Sequence, residues 1–118
     1  MSTIIKKQEN ITVDNGDKLH LVIDTGFACS GDIEVSYFNT DKMEMEPLGE
    51  FDVSDEQRVK IPAIKKKTKI AVYGRLARLP GKKEVRLTVW LYDDLSVVQA
   101  IRTESELFSI VLDVSVVQ

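Results

Sequence analysis

The sequence predicts an all-β protein: a single antiparallel β-sandwich of seven to nine strands spanning residues 1–118, with a barrel as the alternative. Three observations carry that expectation. Apolar residues recur with period two along nearly the whole chain, the signature of strands that bury one face. Turn-forming pairs punctuate these runs, notably Asn15-Gly16 and Pro80-Gly81. A length of 118 residues allows one real core and leaves no room for a second.

Taken in order, Asn10 to Val13 reads as a first strand with Ile11 and Val13 inward, and residues 1–9 stay open between a flexible arm and a swapped strand. Asn15-Gly16 is a strong hairpin signal, so the next strand, with Leu19, Leu21 and Ile23 inward, should pair back on the first. Ile33, Val35 and Tyr37 alternate with Glu34, Ser36 and Phe38 in a third strand. Met43 and Met45 alternate with Glu44 and Glu46 in a weak fourth, ended by Pro47. Asn39 to Gln57, rich in acid and carrying Pro47 and Gly49, is expected to be mainly a long exposed connection. A short strand, Val59 to Ile61, stops at Pro62.

The second half is clearer. Ile70, Val72 and Leu76 share one side of a strand from Lys67 to Leu79, and Val85, Leu87, Val89 and Leu91 share one side of the next. Pro80-Gly81 between them predicts a long hairpin. Leu95 to Arg102 fits a helical turn or a strand, with its β-branched valines favouring the strand. Phe108, Ile110, Leu112, Val114 and Val116 face inward along the last strand, while Val111 and Val117 on its other side suggest partial cover there too.

Charge is sorted into three blocks. Residues 1–56 hold 4 Lys/Arg against 13 Asp/Glu, residues 57–86 hold 11 against one, and residues 87–118 hold 1 against 5, for a net of −3. A basic segment between two acidic ones steers an anionic partner or joins unlike patches of neighbouring copies.

Catalytic and metal-binding patterns are scarce. Cys29 lies between Gly26 and Gly31, with His20 nine residues upstream; a Cys–His dyad would need that imidazole on the thiol, whereas the plain expectation is a buried cysteine and a histidine on the polar strand face. One His and one Cys cannot cage zinc. Asp14, Asp17, Asp93 and Asp94 would bind calcium if their loops met at one end, although tight turns select the same residues. Gly81-Lys82-Lys83 lacks the spacing, the Ser/Thr and the helix of a phosphate loop. No metal, cofactor or catalytic residue is expected, and the protein is expected not to be an enzyme.

The predicted long hairpin supplies the candidate binding face. Alternation puts Lys69, Tyr73 and Arg75 on its outward side with Arg86, Thr88, Trp90 and Tyr92, placing Tyr73 near Thr88, Arg75 near Arg86 and Ala71 near Trp90. Such a face suits a protein interface, where Trp, Tyr and Arg are enriched, or single-stranded nucleic acid, where bases stack and phosphates pair. A second core layer over Trp90 and Tyr92 is the structural alternative. Two arginines side by side call for an acid or anion between them. The acidic blocks provide one on every copy, and a pI near 5.2 is low for a dedicated nucleic-acid binder. The expected function is therefore a non-enzymatic interaction or assembly module, a self-associating structural or accessory component of a multi-copy assembly such as a virion or secretion apparatus. Single-stranded nucleic-acid binding and calcium-dependent binding are the alternatives. Without a signal-peptide core or an apolar run of membrane-spanning length, the expected address is cytoplasmic, or a virus particle, with no membrane partner. The lone cysteine agrees with a reducing compartment.

Overall fold

The computed structural model describes residues 4–14, 16, 18–94 and 96–117, and among these it has seven strands and no helix. They are β1 (Ile4–Asp14), β2 (Leu19–Asn39), β3 (Glu44–Lys60), β4 (Thr68–Arg78), β5 (Leu87–Asp93), β6 (Ser96–Thr103) and β7 (Leu107–Val117). Hydrogen bonding joins them in one sheet of order β1-β7-β4-β2-β5-β6, with β3 laid along β2. The sheet curls into a nearly closed barrel, so of the two all-β architectures expected the chain takes the barrel. Its end strands meet where the Lys7 ammonium donates to the Arg102 carbonyl oxygen.

Period-two alternation places the core. Leu21, Ile23, Ile33 and Val35 of β2 are buried, as are Ile70, Val72 and Leu76 of β4, Leu87, Val89 and Leu91 of β5, and Phe108, Ile110, Leu112 and Val114 of β7. All belong to one cluster, which Ile11, Val13, Val53, Val59 and Val85 join. Burying each large aliphatic side chain contributes about 1.5–3 kcal/mol against the entropy of ordering the strands.

Pairing departs from the sequence expectation in four places. The Asn15-Gly16 hairpin does not form: β1 lies parallel to β7, in register from Ile4 opposite Leu107 to Asp14 opposite Val117. Asn15 itself lies outside the described residues. Residues 4–9, left open between an arm and a swapped strand, are strand, because β1 begins at Ile4. The Pro80-Gly81 hairpin also fails, although its turn forms. Lys82 N–H donates to the Leu79 carbonyl at 3.0 Å and Gly81 takes a φ of 82°, as a type II turn requires at that position. The chain then runs on to β5, which pairs with Leu19–Asp24 of β2, whereas β4 pairs with Cys29–Tyr37. The two strands expected to face each other instead pair with successive halves of β2.

The remaining departures concern β2 and β3. Two strands expected in residues 19–38 are one 21-residue strand, and the supposed connection from Asn39 to Gln57 is mostly strand β3, 17 residues long, running through Pro47. An edge strand tolerates proline and surface acids because only one side of its backbone must pair. Between the halves of β2 the register jumps from Gly26 opposite Asp55 to Ser30 opposite Ser54, leaving three β2 residues unopposed. There Asp55 N–H donates to Thr25 Oγ1 at 3.0 Å and Gly26 N–H to Asp24 Oδ1 at 2.8 Å, which satisfies backbone donors where the ladder breaks.

Candidate interaction surface

Because β4 and β5 flank different halves of β2, the seven residues expected on one face fall on two. Arg86, Thr88, Trp90 and Tyr92 lie on or beside β5, and Lys69, Tyr73 and Arg75 lie on β4. The expected cross-strand neighbours are corrected accordingly: Thr88 is opposite Asp24 and Trp90 opposite Val22, while Tyr73 is opposite Glu34 and Arg75 opposite Asp32. Arg75 and Arg86 are not paired. Arg75 faces the acid that charge balance demands, and the Arg86 guanidinium lies over Gly26 at the bend of β2.

The first half of β2, with β5 and β6, presents an aromatic face. Directly opposed residues share a side of the sheet, so one rung reads Arg58, Val22, Trp90, Ala100 and the next Lys60, His20, Tyr92, Val97. The His20 and Tyr92 rings stack with centroids 5.0 Å apart and planes 7° from parallel. Trp90 and Tyr92 are half-buried, Val22 is only 6% exposed and Val97 is 50% exposed. Trp90 and Tyr92 are thus neither fully exposed nor a closed second core layer. Arg58 and Lys60 form a basic rim on the β3 side, with Arg58 paired to Glu56 at 3.4 Å.

The second half of β2, with β3 and β4, presents an acidic groove of about 630 Å³. Asp32 is opposite Asp52 and Glu34 is opposite Glu50, two like-charged rungs in succession, with Arg75 and Tyr73 completing them on β4. Hydrogen bonds from Tyr73 and Glu50 hold the Glu34 carboxyl below the ordinary carboxylate range. Glu50 is pushed the other way by its hydrogen bond to Glu34 and by the charges of Glu34 and Asp32. Accepting from Tyr73 as well, Glu34 becomes the natural anion of the pair. The tyrosine is raised in turn, first by its hydrogen bond to Glu34.

Acids also answer the cations of β4. Lys69 Nζ is 3.8 Å from Asp113 Oδ1, whose other oxygen accepts from Gln8, and Arg78 is 3.0 Å from Glu106. The basic segment is therefore partly neutralised within the chain by both acidic blocks.

Cys29 is fully buried at the bend, where its thiol donates to the Arg86 carbonyl at 3.2 Å and accepts the Arg86 N–H at 3.4 Å. That pins the approach to β5. His20 stacks on Tyr92 on the outward side, so the two members of the considered dyad are engaged on opposite sides of β2. Of the four aspartates weighed for calcium, Asp17 lies outside the described residues. Among the described residues no group of three or more His, Cys, Asp or Glu is arranged to hold a metal ion, and no helix is long and apolar enough to cross a membrane.

Sequence reasoning missed the acidic rungs and the contribution of His20, Val22 and Val97 to the aromatic face. Val22 gave one usable signal, an apolar residue at a polar position of its alternation. The two acid pairs spaced by two, Asp32/Glu34 and Glu50/Asp52, gave another, but only pairing brings them together. The chain matches no protein-family model, and no curated protein is detectably similar to it in sequence.

Proposed function

We propose that this protein is a non-enzymatic assembly module that self-associates through its aromatic face, as a structural or accessory component of a multi-copy structure such as a virion or secretion apparatus. The observation that carries the reading is the stacked His20–Tyr92 pair beside half-buried Trp90 and half-exposed Val97, on a solvent-facing sheet with Arg58 and Lys60 at its edge. Aromatic anchors with a polar rim are what protein interfaces enrich. Charge supports a second copy as the partner, because every copy carries both this basic rim and the acidic groove. Single-stranded nucleic acid is the weaker reading. Lys69 and Arg78 lie 3.8 and 3.0 Å from acids, and Arg75 is opposite Asp32 in register. Asp24 and Glu56 sit on the aromatic face beside Thr88, and one side of each stacked ring is taken.

Sedimentation velocity at low and high salt tests this. The expected result is a defined oligomer that weakens as salt rises, and that weakens further in Val97→Glu, a change at an exposed position. A protein that stays monomeric at high concentration and low salt sinks the proposal. Quenching of Trp90 by an oligonucleotide, in a salt-dependent way, would transfer the face to nucleic acid.

A further inference from the structure

The β2–β3 hairpin tip is braced by hydrogen bonds yet displays two large apolar side chains to solvent. Asn39 Oδ1 accepts the N–H groups of Asp41 at 3.0 Å and Lys42 at 3.2 Å. Asn39 Nδ2 and Tyr37 OH both donate to Glu46 Oε2, at 2.8 and 2.9 Å, and Lys42 reaches the other oxygen at 3.4 Å. On this braced turn Met43 is 72% and Met45 47% exposed. Met43 also has a φ of 54°, a conformation in which asparagine or glycine would be more stable. Asp41 and Glu44 flank the methionines, exposed and in no ion pair among the described residues.

The matching surface lies where β2 starts and β3 ends. Two adjoining cavities of about 580 and 480 Å³ share Lys18, Leu19 and Lys60. Ile61, Pro62 and Ala63 give the groove an apolar floor, and Lys18 and Lys60 give it a cationic rim. Arg58, which also lines it, is paired with Glu56 at 3.4 Å, and Asp94 is the one acid among its lining residues. The groove also reaches His20, so it is continuous with the aromatic face.

We infer that this groove receives the hairpin tip of a second copy, with Met43 and Met45 on the apolar floor and Asp41 and Glu44 against Lys18 and Lys60. The inference rests on the self-association proposed above and adds this contact to the aromatic face, with which the groove is continuous. Opposite charge matches at the rim, apolar groups match at the floor, and the tip is already ordered, so little entropy is lost on docking. Tip and groove lie at the same end of the barrel. A third cavity, between the tip and residues 63–66, shares Ala63 with the groove. A two-fold axis there lays each tip in the other copy's groove, so the contact is reciprocal and closes on itself.

Sedimentation velocity on three samples of the full chain tests the assignment: the tip variant Met43→Asn with Met45→Thr, the groove variant Lys18→Glu with Lys60→Glu, and their equimolar mixture. All four positions are exposed, so neither variant should melt below the wild type, and the tip variant, with asparagine at a positive φ, should melt slightly above it. Each variant alone should associate about tenfold more weakly or worse, a loss of about 1.4 kcal/mol. The mixture should recover, because a mixed pair keeps one intact tip-in-groove contact. Two variants that associate as the wild type does, while Val97→Glu still weakens association, would overturn the tip-in-groove contact and leave the aromatic face in place. A mixture that recovers nothing overturns the reciprocal geometry. A wild-type monomer overturns this inference together with the reading beneath it.

Discussion

The two halves of β2 share one strand and one alternation, and both lie against β3, yet they build opposite surfaces. Inward, they are alike: Leu21 and Ile23 in the first half and Ile33 and Val35 in the second join the same core. Outward, His20 and Val22 meet Tyr92 and Trp90, whereas Asp32 and Glu34 meet Arg75, Tyr73 and a second pair of acids. The flanking strand makes the difference, because β5 serves one half and β4 the other. Inward packing can thus be uniform while surface chemistry changes within one strand, provided the strand bends and changes neighbours between the two.

If the halves are joined by their core, damage to either should weaken both. Leu21→Ala and Ile33→Ala should each destabilise the protein by about 2–5 kcal/mol, measured by urea unfolding. Trp90 fluorescence sits in the aromatic half, so its transition should coincide with that of circular dichroism even for Ile33→Ala. Separate transitions would divide the barrel into two units. Gly74→Ala, an overpacking change in the acidic half, should likewise weaken the whole protein in one transition, by about 1–3 kcal/mol or more. A β-carbon there would stand 2.0 Å from the Asp32 carbonyl oxygen, and because that atom is backbone, β2 and β4 must part to admit it.

The smallest effect is a pH dependence confined to the acidic rungs. Glu50 is raised, so its contribution to stability is full below the ordinary carboxylate value and is lost as pH rises through the raised one. Glu34 is lowered, so its contribution is present above the ordinary value and is lost as pH falls through the lowered one. Together they favour one shared proton in mildly acidic solution. Glu50→Gln holds the pair in that neutralised form, so its melting temperature near pH 7 should rise slightly and the decline on the alkaline side should flatten. A melting temperature that falls at neutral pH instead would show that the Glu50 charge stabilises the hairpin.

Alternation made the inward residues legible, and those of β4, β5 and β7 are buried as expected, except Val116, which is only partly buried. Pairing was not legible, because a turn dipeptide fixes only a local reversal. Pro80-Gly81 makes its turn, but residues 83–86 then carry the chain from beside one half of β2 to beside the other, where Cys29 holds Arg86. β3 was hidden for a different reason: acids, a proline and a glycine read as loop, and they are also what a one-sided edge strand accepts. The candidate site inherited the pairing error. Trp90 and Tyr92 do share a face, but its partners His20 and Val22 come from a strand some seventy residues earlier, whose adjacency no local periodicity encodes.

The parallel pairing of β1 with β7 has a consequence for the order of events during folding. Ile4 waits for Leu107, roughly a hundred residues later, before its ladder can form, and such distant pairing is slow. While the chain is being synthesised, β2, β3 and β4 can already associate, but the β7 edge that receives β1 does not yet exist. Until then β1 is an unpaired extended segment, and newly made copies at high local concentration have an interval in which one chain's β1 can be captured by another's β7. Growth at reduced temperature, or a slower supply of new chains, should therefore favour barrels closed by their own first strand.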